Sequence, residues 1–322
     1  MTKNSESSEI AVGMDIGGTN TVLGLADRSG NIIEEATLKT ADYPNFDEFV
    51  ETGANLIRTL AQKSNAKIVG VGIGAPNGNF YRGTIEHAVN LAWKGIVPIS
   101  QKFGENLGVK VAVTNDANAA AVGEKIFGGA KDTDDFVVMT LGTGLGSGIY
   151  INGKLLYGYS GFAGELGHIG LVPNGRVCGC GAKGCAETYV SATGICRTAF
   201  ELLSLKREAS VLRQYSYGEL TSKHIAQAAR DGDEIALSAF DETAKYFGKI
   251  IADTVAFCSP QKIFLFGGLA NAGDILIVPA VKYAREICLE SMRDTFEVEM
   301  SKLPSANAAI LGAAALVWEN LQ

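Results

Sequence analysis

Gly164-Glu165-Leu166-Gly167-His168 is followed, after a short gap, by Cys178-Gly179-Cys180-Gly181-Ala182-Lys183-Gly184-Cys185-Ala186-Glu187. One histidine (His168) and three cysteines (Cys178, Cys180, Cys185) supply the four donors that tetrahedral zinc takes in a closed structural site. The interleaved glycines let the loop fold around an ion. Protein fills all four positions and leaves no place for a metal-bound water, so a zinc ion here is structural rather than catalytic. Buried thiols and a core histidine are the plainer explanation of such residues. That explanation suits Cys196, Cys258 and Cys288, each in apolar, largely helical surroundings. The crowding of the other three argues against it.

Thr114-Asn115-Asp116-Ala117-Asn118-Ala119 places an aspartate where a strand hands over to a helix, near the positive end of the helix dipole. Two roles fit Asp116. It can cap the helix, which the motif alone favours, or act as a general base that takes the proton of an attacking hydroxyl. With the second role, Asn115 and Asn118 would be polar neighbours or sugar contacts.

Two glycine turns follow apolar strands: Met14-Asp15-Ile16-Gly17-Gly18-Thr19 and Met139-Thr140-Leu141-Gly142-Thr143-Gly144. Backbone N–H groups approach phosphate oxygens closely only where side chains are absent. Thr19 and Thr143 add hydroxyl donors, and Asp15 is suited to hold Mg²⁺ directly or through water. Gly267-Gly268, read as opening a helix after another apolar strand, offers a third backbone surface for a nucleotide. Neither GxxxxGK[ST] nor a GxGxxG unit opening a helix is present, which argues against P-loop and Rossmann chemistry.

The elements that must position these residues are legible as patterns. Strands are expected over 10–16, 21–26, 31–38, 67–75, 109–114, 136–141, 149–151 and 262–266, and helices over 46–64, 98–107, 116–126, 233–258 and 306–321. The stretch 205–218 reads as an irregular surface connection. The likeness between the two glycine turns, each with a strand on either side, suggests two related halves. The chain of 322 residues is long enough for two α/β lobes. A formal net charge of -7 makes a general attraction to nucleic acid or anionic membrane unexpected. No apolar run approaches the length of a membrane span, and residues 1–9 lack the layout of a signal peptide, so a cytoplasmic protein is expected.

Together, DIGGTN (15–20), NDANAA (115–120), LGTGLGSG (141–148), GELGH (164–168), CGCGAKGCAE (178–187) and FGGLA (266–270) closely resemble the ROK family of bacterial sugar kinases and repressors, over roughly Ile10 to Val317. The resemblance implies an α/β, two-lobed actin-like ATPase (ribonuclease H-like) fold with the zinc-binding loop in the larger lobe. Residues 1–118 would form a small lobe and 119–305 the larger one, with a helix over 306–322 returning to the first. It further implies ATP-dependent phosphorylation of the 6-hydroxyl of a hexose, glucose first and N-acetylglucosamine or N-acetylmannosamine as alternatives. Asp116 becomes the base, and Asn90, Asn115, Glu165, His168 and Glu187 become sugar contacts, with His168 also a zinc ligand. Asp15, Gly17, Gly18, Thr19, Asn20, Gly142, Thr143, Gly144, Gly267 and Gly268 become the ATP and Mg²⁺ contacts. Homodimers or homotetramers are the family's usual assemblies. The family's repressors carry a helix-turn-helix module, for which the residues before the first strand leave no room. A structural ATPase of the actin or chaperone type shares the phosphate turns but has no use for a braced sugar pocket. One position departs from the family: Asn77 follows Gly74-Ala75-Pro76 where a further glycine is usual.

Overall fold

The computed structural model describes residues 9–304 and 307–320. It contains two compact units. Among the described residues, one takes in those up to Asp132, Leu155–Ala163 and those from Lys302 onward; the other takes in Thr133–Lys154 and Gly164–Ser301. The units are nearly equal in size, where a small and a larger lobe are expected. The chain divides after Asp132 rather than at residue 118, because a break at 118 would cut a continuous helix, Asp116–Ile126.

The first unit is built on β1 (Glu9–Ile16), β2 (Thr21–Ala26), β3 (Ile32–Leu38), β4 (Lys67–Gly74) and β8 (Val111–Thr114), in the order β3-β2-β1-β4-β8. Three short strands, β5 (Gly78–Asn79), β6 (Thr84–Glu86) and β7 (Ile96–Val97), make a separate small sheet. β1 runs antiparallel to β2 and parallel to β4, and nearly every residue of β1 is buried. A strand covered on both faces reads as a continuous apolar run, as Ile10–Ile16 does. One face carries α1 (Phe46–Lys63) and α2 (Ile99–Leu107), whose Phe49, Val50, Ile57 and Phe103 join Val12, Met14 and Val71 in one core. Asn45 caps α1 by accepting hydrogen bonds from the N–H groups of Asp47 and Glu48.

The other face is covered by α3 (Asp116–Ile126) and the C-terminal helix, Ala308–Asn320. Ala306, Leu321 and Gln322 of the expected terminal helix lie outside the described residues. This helix lies directly on the strands because glycines face it. A Cβ on Gly13 would sit 2.0 Å from the Ile310 carbonyl oxygen, and one on Gly72 1.8 Å from that of Ala313. Any other residue at either place would lift the helix off the sheet that carries Asp15.

The second unit repeats the plan. β9 (Phe136–Leu141), β10 (Leu145–Ile151), β11 (Lys154–Leu155), β12 (Lys262–Phe266) and β13 (Glu297–Met300) stand in the order β11-β10-β9-β12-β13. β9 pairs antiparallel with β10 and parallel with β12, as β1 does with β2 and β4. The likeness of the two glycine turns is thus matched at the level of the sheets, the pattern of an actin-like ATPase. α4 (Ala192–Leu205), α5 (Ser222–Arg230), α6 (Glu234–Cys258) and α7 (Asp274–Ile287) pack together, with α6 central. Asp233 caps α6, and Ser259 ends it in the left-handed conformation at φ +45°. β10 begins at Leu145, earlier than its apolar stretch at 149–151, because Gly146 and Gly148 mask the pattern. Gly267-Gly268 does not open α7. A single 3-10 turn, Ala270–Ala272, intervenes, and α7 starts at Asp274. Between 205 and 218 only the short turn Val211–Gln214 is regular, and Arg213 fastens it by donating to the carbonyls of Leu203, Lys206 and Glu208.

Candidate functional site

The candidate residues fall into two groups, one in each unit. In the first, β1 delivers Asp15 at its C-terminal end, and the Gly17 N–H closes the following turn on the Asn20 carbonyl at 2.9 Å. Thr19 and Asn20 stand exposed at the tip. β8 leads directly into α3, and Asn115, not Asp116, is the N-cap. The Asn115 side-chain oxygen accepts the Asn118 N–H at 2.6 Å. Asp116 is therefore the first helical residue, and the plainer reading of it as a cap is corrected. Its Oδ1 accepts the N–H of Ala117 at 2.8 Å, while the residue stays open to solvent.

Gly74 lies between the two aspartates: a Cβ there would be 3.6 Å from Asp15 Oδ1 and 3.8 Å from the Asp116 Cα. Protein packed around them raises both carboxyls above the usual range. Asp15 is pushed up to about 6, by burial first and by the charge of Asp116 second. Asp116 is raised by burial, against the opposing pull of backbone N–H groups at the helix start. Asp15 thus binds its proton more tightly in the folded than in the unfolded chain. Its ionisation costs the fold stability as pH rises from about 4 through about 6, and the cost persists above that. Asp15→Asn should stabilise the protein by on the order of 1–3 kcal/mol at pH 8 and by little at pH 4. Denaturant midpoints at the two pH values check this, and an equal gain at both would contradict it.

Asn90 is exposed in a loop whose neighbours Ala88, Leu91 and Trp93 are buried in the core. The Trp93 indole N–H donates to the Tyr43 carbonyl at 2.9 Å. This anchoring lays the loop against the first glycine turn: a Cβ on Gly18 would meet the Asn90 carbonyl oxygen at 2.5 Å. Asn77 adopts φ +53°, the left-handed region that glycine usually fills. Asparagine tolerates it, and here its Nδ2 also donates to the Glu86 carbonyl at 2.9 Å. The departure from the family pattern keeps the turn and adds a tether.

In the second unit the parallel neighbours β9 and β12 each end in a glycine turn, and the Leu269 N–H donates to the Leu141 carbonyl at 3.0 Å, which holds the Gly267-Gly268 turn beside Gly142. Glu187 reaches the Gly142–Gly144 turn: its Oε2 lies 2.5 Å from where a Cβ on Gly144 would be. Glu165 and His168 flank the one-turn segment Leu166–His168. β10 anchors this segment, with the Ser147 hydroxyl donating to the Gly164 carbonyl. Both side chains are exposed.

His168, Cys178, Cys180 and Cys185 converge. One donor atom from each lies within 4.8 Å of all the others. Cys178 Sγ is 3.7 Å from His168 Nδ1, and Cys180 Sγ is 3.7 Å from Cys185 Sγ. A tetrahedral ion with metal–sulfur bonds of about 2.3 Å requires ligand–ligand edges of about 3.8 Å. The group fits a metal ion on that measure. The Cys180 N–H donates to Cys178 Sγ at 3.4 Å, and backbone bonds Cys178–Ala182 and Gly181–Cys178 shape the loop. His168 turns Nδ1 toward the cluster, which leaves Nε2 on the far edge of the ring. Glu187 is drawn into the same group, its Oε1 accepting from the Cys178 thiol at 2.9 Å and lying 3.7 Å from His168 Nδ1. Cys196 and Cys258 stand apart, their thiols donating to the Leu220 and Thr254 carbonyls, and Cys288 is not in the cluster.

One contributor had no signal in the sequence. Arg176, only 12% exposed, forms a two-pronged pair with Glu201 on α4 at 2.6 and 2.9 Å. It also donates to the Thr188 and Gly194 carbonyls, and its guanidinium lies over the Tyr189 ring at 4.5 Å. This braces the cysteine loop against the turn that holds Glu187. A lone arginine in a loop looks like a solvated charge until its partners are known.

The family model described as ROK family matches residues 11–320. The glucokinase of Streptomyces coelicolor is 37% identical, with 96% of this chain and 98% of that protein covered. The glucokinase of Halalkalibacterium halodurans is 35% identical, with 95% and 94% covered. The crystal structure of a ROK family glucokinase from Streptomyces griseus, in complex with glucose and AMPPNP, superposes with a TM-score of 0.79 at 35% identity, covering 95% of this chain and 98% of that one. The family model spans nearly all of the chain, through both units, and the chain belongs to the ROK family.

Proposed function

We propose that this protein transfers the γ-phosphoryl group of ATP to the 6-hydroxyl of glucose. The observation that carries the reading is the state of Asp116: Asn115 has taken over the cap, so a carboxylate of raised pKa, bonded through one oxygen to the Ala117 N–H, stands exposed at a helix start. Relatives 34–37% identical over nearly their whole length, each called a glucokinase, support the same activity.

Phosphoryl transfer asks the protein chiefly for positioning and charge stabilisation. Asp116 accepts the proton of the sugar hydroxyl as that oxygen attacks the γ-phosphorus, and ADP departs. A raised pKa brings the base nearer to the pH at which it works and improves the proton transfer. Asn115 and Asn90 contact the sugar from the first unit, and Glu165, His168 and Glu187 bind its remaining hydroxyls. The Gly17–Asn20 and Gly142–Gly144 turns and Gly267-Gly268 receive the nucleotide through backbone N–H groups. Asp15, with Thr19, would hold Mg²⁺, which when bound neutralises phosphate charge.

The ion in the cysteine loop is proposed to be zinc, because three thiolates and an imidazole in a closed tetrahedral set suit it. It would be structural. With Nδ1 as its ligand, such an ion would fix the His168 tautomer and leave Nε2 as a hydrogen-bond donor available to the sugar. Side-by-side kcat/KM values for glucose, N-acetylglucosamine and N-acetylmannosamine with MgATP test the reading. Glucose should lead by at least tenfold, since the three differ around the sugar's second carbon. A lead for either acetylated sugar would reassign the substrate, and no sugar-dependent ADP release would remove the kinase.

A further inference from the structure

The start of α4 fastens the sugar-side carboxylate and the nucleotide turn to one another. Ser191, the N-cap, is fully buried; its hydroxyl donates to the Glu187 carbonyl at 2.6 Å and accepts the Gly194 N–H at 2.9 Å. The next residue donates its N–H to the other side, Ala192 to the Gly142 carbonyl at 2.8 Å. Thr193 follows, and its hydroxyl donates to the Thr143 carbonyl at 2.8 Å. The Glu187 carboxylate then lies against Gly144, within 2.5 Å of its Cβ position. Three consecutive residues thus hold the backbone of Glu187 on one side and two successive carbonyls of the glycine turn on the other.

These contacts orient peptide planes. A turn whose carbonyls are drawn toward α4 directs its N–H groups the opposite way, where a phosphate would be met. The Ala192 bond comes from backbone and survives any substitution there except proline. The Thr193 bond depends on one exposed hydroxyl. We infer that Thr193 is a positioning residue for the nucleotide, and that through it the Gly142–Gly144 turn and Glu187 move as one body, so nucleotide and sugar bind cooperatively. The inference rests on the kinase reading for the identity of the ligands, but not for the geometry of the clasp.

Thr193→Val keeps shape and branching and removes the hydroxyl, and Thr193→Ser restores it. The valine variant should bind a non-hydrolysable ATP analogue about fivefold more weakly, the usual effect of one hydrogen bond. Its glucose affinity without nucleotide, metal content and melting temperature should match the wild type. The gain in glucose affinity that the analogue brings should shrink by a similar factor. The serine variant should recover both. Unchanged analogue affinity in Thr193→Val would overturn the inference. So would a loss shared equally by glucose binding, metal content and melting temperature, since that marks a merely structural contact. Analogue binding is measured on the free protein, so a wild type that binds nucleotide but phosphorylates no sugar would remove the kinase reading while leaving the Thr193 comparison decisive.

Discussion

Asp116→Asn should lower kcat by a factor of about 10²–10⁴ while changing glucose affinity by no more than a few-fold. Asparagine matches aspartate in size and can keep the contact with the Ala117 N–H through its oxygen, so α3 and its Asn115 cap should persist. What disappears is a group able to take a proton. Without it, the sugar oxygen must attack while still protonated or lose its proton to water. Asp116→Ala should be equally slow, which separates loss of the base from any effect of the amide. Single-turnover phosphorylation with saturating MgATP, beside equilibrium glucose binding, checks both parts. Turnover near the wild-type rate would sink the assignment.

Removing one cysteine of the Cys178–Cys185 loop should have the second large effect. Cys180→Ser is the informative choice, because Cys180 is exposed whereas Cys178 and Cys185 are buried. No core packing is lost with its sulfur. Metal content should fall from about one ion per chain to near zero, since a closed site loses a quarter of its donors. Glucose affinity should then fall by about 10–100-fold, because Glu187 and His168 are placed by the same loop. Cys196→Ser, outside the cluster, should leave both quantities unchanged. Tight glucose binding by a verified metal-free Cys180→Ser protein would show that the loop holds the sugar contacts without the ion.

The two variants probe different units of the chain. Asp116 belongs to the first, with Asp15 and Gly74 beside it, and the cysteine loop to the second, with Glu187. A loss confined to kcat in one and to sugar affinity in the other would be the signature of that division.

Much of this was legible in the sequence alone, and locality explains which parts. The cysteine loop, the glycine turns and the buried strand Ile10–Ile16 are short-range patterns, each set by the conformational limits of a few neighbouring residues. The repetition between Asp15–Thr19 and Thr140–Gly144 was readable for the same reason, and it matched two sheets of like strand order. Tertiary structure decided the rest. Whether Asn115 or Asp116 caps α3 depends on where the backbone turns helical, and Asn115, at φ -71° and ψ 162°, is the last extended residue, although both are chemically fit for the role. The close seat of the C-terminal helix on Gly13 and Gly72, the brace formed by Arg176, and the hold of Thr193 on Thr143 all join residues distant in sequence. Residue type states what a side chain is able to do, but which partner it meets is settled only when the chain has folded.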